Sequence, residues 1–241
     1  MRLDKLLAHS GFGTRKDVKK IIRSGLVEVN GIIIKNDDFK VDENNDEIIV
    51  DDFIVEYNKD IYLMMNKPKG YVCANHDRIH ETVFDLIPEY NHCNLFCVGR
   101  LDIDTTGLLL ITNDGAFSHS ITKPKKKIMK LYEAIVDGKI KSSDYEYFKK
   151  GVIIDDGYKC LPANLELIEE KTDYSIIRIE ISEGKFHQIK KMVNAIGLNV
   201  LELKRLKIKD LELDSSLELG DYRLLDESEV KNLLHCTPSG Q

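Results

Sequence analysis

The chain contains no tryptophan, only five cysteines and no long apolar run. Each shortage excludes something. The missing tryptophan weighs against a carbohydrate-processing site, where indole rings commonly cover the sugar. The cysteines, at positions 73, 93, 97, 160 and 236, are odd in number and scattered, which suits a reducing cytosol better than a disulfide framework and predicts a cytoplasmic protein. His92-Cys93 with Cys97 has no second pair at finger-like spacing, so no metal is expected there. Nothing is long and apolar enough to span a membrane, and Met1-Arg2-Leu3-Asp4-Lys5 leads into no signal-peptide core. Internal repeats and low-complexity segments are missing too. Nor is there a surplus of positive charge: the net charge is −6, which argues against a nucleic-acid partner unless the bases are gathered on one face.

They are gathered. Between Met1 and Lys35, Arg2, Lys5, Arg15, Lys16, Lys19, Lys20, Arg23 and Lys35 meet only Asp4, Asp17 and Glu28, whereas residues 37–60 are dominated by acids. Lys123 to Lys130 holds five lysines and no acid, and Gly184 to Lys209 holds seven bases and one acid, Glu202. Each run could follow a phosphate backbone or simply be a solvated face. With 241 residues, 42% hydrophobic and 32% charged, the chain can form one medium domain, or a small one joined to a larger.

The local patterns favour the second arrangement. Thr14 is a suitable N-cap for a helix with Val18, Ile21 and Ile22 inward and Arg15, Lys16, Lys19, Lys20 and Arg23 outward, and Gly25 ends it. Val27 to Val29, Asn30-Gly31 and Ile32 to Ile34 form a hairpin signal, and Glu47 to Val50 reads as a further strand. With Ser10-Gly11-Phe12-Gly13-Thr14-Arg15, this module, residues 1–50, resembles the α-L RNA-binding domain of a small-subunit ribosomal protein. The resemblance implies that the basic helix, with Arg2, docks on structured RNA by backbone and shape. Residues 51–60 read as a linker, 61–235 as the larger domain and 236–241 as a tail.

In the larger domain, strands are predicted at Ile61 to Met65, Tyr71 to Ala74, Leu108 to Thr112, Lys130 to Val136, Ile176 to Ser182 and Val200 to Arg205. Helices are predicted from Ala116, through Ile189, Met192, Val193 and Ile196, and from about Asp226. Strands outnumber helices, so the expected class is α+β, a mixed and mainly antiparallel sheet with peripheral helices.

The most telling stretch is Gly99-Arg100-Leu101-Asp102-Ile103-Asp104-Thr105-Thr106-Gly107, a turn of carboxylates and hydroxyls running straight into the apolar strand Leu108 to Thr112. An aspartate in such a place commonly braces its own turn. Four more segments accompany it in order: Asn66-Lys67-Pro68-Lys69-Gly70 before it, then Lys130-Leu131-Tyr132, Glu183-Gly184-Lys185-Phe186-His187-Gln188-Ile189-Lys190-Lys191-Met192, and Gly220-Asp221-Tyr222-Arg223-Leu224-Leu225. Together they resemble the bacterial ribosomal RNA pseudouridine synthases across nearly the whole domain.

That resemblance implies chemistry without metal or cofactor. The bond from C1′ to N1 of a uridine breaks, the base turns while held, and C1′ rejoins at C5. Asp102 matches the carboxylate that acts beside C1′, either as base at the sugar or as nucleophile. Lys190 stands where the family has an arginine that keeps the aspartate ionised, a point charge in place of a two-pronged clamp. Tyr132 matches the ring that stacks on the uracil, although residue pattern alone also allows a core aromatic. Arg100 would help to turn out the base, and Leu101, Thr106, Lys130, His187, Gln188 and Lys191 are the remaining candidate RNA contacts.

The doubled Thr105-Thr106, Ser118-His119 and Pro124 resemble the small-subunit branch, which implies 16S rRNA as partner, at position 516 in the usual numbering, either free or within an assembling particle, and a monomer. Three alternatives stand beside it: a 23S rRNA enzyme of the same family, a non-catalytic rRNA-binding assembly factor resting on the first module, and a glycosidase using Asp102 with Asp104 as a carboxylate pair.

Overall fold

The structure, a computed structural model, describes residues 1–43, 45–55, 60–155 and 157–235. It divides into two compact units, residues 1–61 with 87–96, and residues 62–86 with 97–241.

The first unit opens with α1 (Leu3–His9) and α2 (Arg15–Arg23). Thr14 caps α2 as expected, its hydroxyl accepting the Asp17 N–H at 3.3 Å, and Val18 and Ile22 are fully buried. Four strands follow, β1 (Val27–Val29), β2 (Ile32–Ile33), β3 (Ile48–Val50) and β4 (Phe53–Ile54), paired in the order β2-β1-β3-β4. The β1–β2 turn is Asn30-Gly31, with φ of 51° and 75°, the pair of positive values that a tight two-residue hairpin requires. Leu3, Leu6, Leu7, Val18, Ile22, Val27 and Val29 make its core with Val41, Ile48, Val50 and Val55.

Two domain boundaries differ from the sequence reading. Residues 51–60, read as a linker from their acidity, carry β4, and Val55 enters the core; the acids flank apolar positions that pair with β3. Residues 56–59 and the tail 236–241 lie outside the described residues. Residues 87–96 belong to the first unit, where the Asn94 amide donates to the Ala8 carbonyl at 2.6 Å.

The second unit carries β5 (Tyr62–Lys67), β6 (Phe96–Cys97), β7 (Thr105–Thr112), α3 (Gly115–Thr122), β8 (Lys130–Val136), α4 (Ser142–Lys150), β9 (Asn164–Glu170), β10 (Ser175–Ile181), α5 (Gln188–Asn194), β11 (Val200–Ile208), β12 (Leu211–Glu212), β13 (Tyr222–Leu224) and α6 (Glu227–Leu234). Its sheet runs β13-β5-β7-β11-β8-β10-β9, with β6 on β7 and β12 on β11. β7 and β11 are parallel, whereas the ladders joining β13 to β5, β5 to β7, β11 to β8, β8 to β10 and β10 to β9 are antiparallel. This is the mixed, mainly antiparallel sheet with peripheral helices that the patterning predicts.

Tyr71 to Ala74 does not form a strand. Only Val72 makes an isolated bridge, to Thr82. α4 and β9, which are not among the predicted elements, fold between β8 and β10.

One glycine fixes the position of the central strands. Gly107 sits opposite Arg205 in the parallel pair with φ +98°, and a Cβ there would stand 2.3 Å from the Arg205 carbonyl oxygen. Only glycine permits that approach. Asp102 lies five residues upstream, so the seating of β7 on β11 also sets where the candidate carboxylate emerges.

Candidate active site

Asp102 projects from the turn entering β7. The turn is held by its own backbone, with the Thr105 N–H donating to Asp102 O at 3.1 Å and the Gly70 N–H to Ile103 O at 2.8 Å. It is also held from beneath. Lys67, fully buried at the end of β5, donates its ammonium to the carbonyls of Pro68 (3.0 Å), Asp102 (3.1 Å), Ile103 (3.5 Å) and Thr105 (3.0 Å). Burial pushes the Lys67 amine below the usual lysine range, and the neighbouring Cys73, Asp104 and Asp102 oppose that shift. The Leu101 N–H points at Cys73 Sγ, 3.4 Å away. The Asp102 backbone thus has little freedom, and its side chain is left to face outward, 28% exposed.

Two basic side chains flank that carboxylate, both from the start of α5. Lys190 Nζ lies 3.4 Å from Asp102 Oδ2, and His187 Nε2 lies 3.6 Å from Asp102 Oδ1, an ion pair whenever the imidazole is protonated. Lys190 makes its shorter contact, 2.6 Å, with Asp104 Oδ1. Partial burial raises the Asp104 carboxyl, and the Lys190 hydrogen bond and charge more than offset this, leaving it below the usual carboxylate range. Lys190 therefore bridges both acids of the turn, as a point charge can and a planar fork engaged with a single carboxylate does less readily.

His187 reaches Asp102 because it adopts the left-handed conformation, φ 54°. The loop before it is braced by the buried Gln188, whose Oε1 accepts the Lys185 N–H at 2.9 Å and whose Nε2 donates to Glu183 Oε1 at 2.8 Å. Glu183 in turn accepts the Leu161 N–H and the Tyr158 hydroxyl. Gln188, expected as an RNA contact, is thus engaged in fixing the loop.

Arg100, Leu101, Asp102, Tyr132, His187, Gln188 and Lys190 line one cavity of about 70 Å³. A larger one, about 470 Å³, adjoins it and shares Arg100, Tyr132, Gly184 and Lys185, a size within the usual range for small-molecule pockets. Tyr132 is 8% exposed and borders both spaces. It is packed in the sheet and still presents its ring to a cavity, so both readings of this residue hold at once. Lys130 lies on the wall of the larger cavity, and burial together with the nearby Arg205 pushes its amine down to about 8, against a pull from Glu183.

Some expected residues are placed elsewhere. Thr106 donates its hydroxyl to Leu203 O at 3.3 Å and lines a separate depression, because strand alternation turns Thr105 inward in its place. Lys191 pairs with Asp155 at 2.9 Å. In the first unit Arg2 pairs with Asp4 and Asp38, Lys19 with Asp4 and Asp37, Lys20 with Asp17, and Arg23 with Asp37, while Arg15 and Lys16 stand exposed. Asp4 and Asp37 from outside the helix, and Asp17 within it, therefore temper its basic face. Cys93 is buried, the side chain of His92 lies outside what is described, and no group of three metal-ligating side chains occurs among the described residues. No described helix is long and apolar enough to cross a membrane.

Three residues of the site were not among the candidate catalytic or RNA-contact residues read from the sequence. Lys67 stood inside a quoted motif, but only the fold shows its ammonium under the turn. Thr105 and Arg205 each line a cavity with a buried polar atom, Oγ1 and Nη2, that has no hydrogen-bond partner in the structure. Arg205 Nε is meanwhile anchored on Leu108 O at 2.7 Å.

The site thus sets a carboxylate on a fixed turn, a lysine beside it and a sheet tyrosine on the wall of the same cavity, and residues 61–195 match the RNA pseudouridylate synthase family, with residues 1–48 matching the S4 domain. The chain belongs to the RNA pseudouridylate synthase family, whose members are isomerases. Among its relatives, an RNA pseudouridine synthase of Bacillus subtilis, YtzG, is 43% identical over 95% of this chain and 97% of its own. The ribosomal small subunit pseudouridine synthase A of Escherichia coli is 37% identical, covering 97% and 100%. A crystal structure of a pseudouridylate synthase superposes with a TM-score of 0.69 at 36% identity, covering 97% and 99%.

Proposed function

We propose that this protein isomerises one uridine of 16S ribosomal RNA, in the cytoplasm, to pseudouridine. The observation that carries the chemistry is the Asp102 carboxylate, held between Lys190 and His187 at the mouth of a cavity bordered by Tyr132. The small-subunit target is supported by full-length similarity to enzymes named for that subunit, and by the Thr105-Thr106, Ser118-His119 and Pro124 features.

In this reading the target uridine leaves its stack, at a cost of about a few kcal/mol that binding must cover, and its base enters beside Tyr132. Asp102 acts at the sugar as the C1′–N1 bond breaks. The freed uracil rotates against the Tyr132 ring, C1′ bonds to C5, and the C5 proton is lost while N1 ends protonated, so the product is an isomer. Lys190 offsets the cost of holding an ionised carboxylate where the bound base excludes water. Arg100, exposed at the rim, stands where it can meet the displaced strand. The basic surface of α2 and the exposed Lys123 to Lys127 turn supply phosphate contacts.

The test is pseudouridine mapping by carbodiimide modification and primer extension on 16S and 23S rRNA, from cells with the intact gene and cells encoding Asp102→Asn. Loss of one 16S stop is the expected result. A lost 23S stop would move the target to the large subunit, and no lost stop would favour a binding protein that acts in ribosome assembly.

A further inference from the structure

The loop leading into α5 presents a feature the reaction just described does not use. Phe186 is 71% exposed although the backbone on either side of it is fixed, through Lys185 and Gln188 on one hand and the left-handed His187 on the other. Its ring lies on the His187 imidazole, with centroids 3.8 Å apart and planes 20° from parallel, and that same imidazole reaches Asp102 at 3.6 Å. One face of a two-ring stack is therefore exposed beside His187, which lines the Asp102 cavity together with Lys185 and Lys190. A lone exposed phenylalanine is unremarkable on a protein surface. A rigid one, stacked on the residue that reaches the candidate carboxylate, is placed to meet the substrate.

We propose that Phe186 is a stacking platform for a nucleobase flanking the target uridine. The inference rests on the RNA-modifying function proposed above. When the target is extruded, its neighbour loses a stacking partner, and the outer face of the Phe186 ring replaces it. Lys185 and Lys190, which line the adjoining Asp102 cavity, favour a polyanion over an apolar protein surface as the occupant. Stacking on an aromatic ring is tolerant of base identity and corresponds to a loss on alanine substitution of about five- to 150-fold in affinity.

The experiment uses the full chain and a 16S rRNA fragment carrying tritium at C5 of uridine, with binding and single-turnover release measured for wild type, Phe186→Ala, Phe186→Leu and Phe186→Tyr. Phe186→Ala is expected to weaken binding by at least fivefold, and to lower the rate at saturating RNA by a smaller factor. Tyrosine is expected to restore affinity and leucine to fail. The slope of log affinity against log salt should stay at the wild-type value, because stacking releases no counterions. Affinity within twofold of wild type for the alanine variant, or rescue by leucine equal to that by tyrosine, would overturn the platform while leaving the isomerase intact. Wild-type protein inactive on the RNA, with Phe186 required to retain a protein partner in its place, would overturn both.

Discussion

Lys67→Met is the perturbation that most directly probes how the site is held. The lysine is fully buried, and its ammonium serves four carbonyls around the Asp102 turn. Two of these retain a backbone donor after the substitution, Asp102 O from the Thr105 N–H and Ile103 O from the Gly70 N–H. Pro68 O and Thr105 O lose the ammonium, and a buried acceptor left unpaired costs about 1–3 kcal/mol. Methionine matches the lysine stem as far as Cε and removes a buried charge whose desolvation already depresses its pKa, which returns part of that cost. The net expectation is a loss of about 2–3 kcal/mol in urea unfolding at pH 7. Function should suffer more than stability: a turn that relaxes by about 1 Å at the carboxylate costs on the order of 100-fold in rate. Single-turnover tritium release at saturating RNA, well below the unfolding transition, reads that step separately. A variant as stable as wild type, with a rate within threefold, would refute the view that Lys67 fixes the catalytic turn.

Gly107→Ala should destabilise the protein by about 3–5 kcal/mol, since the added Cβ meets the Arg205 carbonyl oxygen at 2.3 Å and the position has φ +98°; a shift in melting temperature below about 3 °C would contradict it. Lys130 carries an amine pushed down to about 8 from the ordinary lysine value of 10.5. Between those values the unfolded chain binds more protons, so stability rises with pH there, and at pH 7 the penalty is fully present. Lys130→Met is accordingly expected to stabilise the RNA-free protein by about 2 kcal/mol at pH 7, an advantage that fades as pH rises from 8 to 10.5 and that comes with weaker RNA binding. Equal stabilities at pH 7 would show the amine is not penalised. Lys190→Met, leaving Asp102 and Asp104 without their shared cation, should lower kcat/KM by about 10- to 100-fold, while Lys190→Arg retains most activity. Similar kinetics for wild type and the methionine variant would remove Lys190 from the site.

Much of the fold was legible because its elements announce themselves locally. Lys130 to Val136 and Ile176 to Ile181 alternate with period two, Asn30-Gly31 dictates its turn, and Asp226 caps a terminal helix whose Glu229 closes the reciprocal bond. The segment Tyr71 to Ala74 is apolar enough for a strand, but it pairs with nothing beyond the Val72 bridge, a tertiary fact no propensity encodes. The same limit applied to residues 51–60, whose acids concealed β4 and Val55. Within the site, the order of motifs placed Asp102, Tyr132 and Lys190, which the structure brings to one cavity. What stayed hidden were roles that depend on distant strands meeting. Lys67 acts on carbonyls some 35 residues away in sequence, and the inward turn of Thr105 in place of Thr106 is set by the β7–β11 register.

The most direct test of the central claim is release of tritium from C5-labelled uridine in a 16S rRNA transcript, comparing wild type with Asp102→Asn under single-turnover conditions. The account predicts stoichiometric release at one site by wild type, and none above background by Asp102→Asn although it binds the RNA within a few-fold of wild-type affinity. Release by the asparagine variant at a comparable rate would show that the carboxylate between Lys190 and His187 is not the group that acts on the nucleoside.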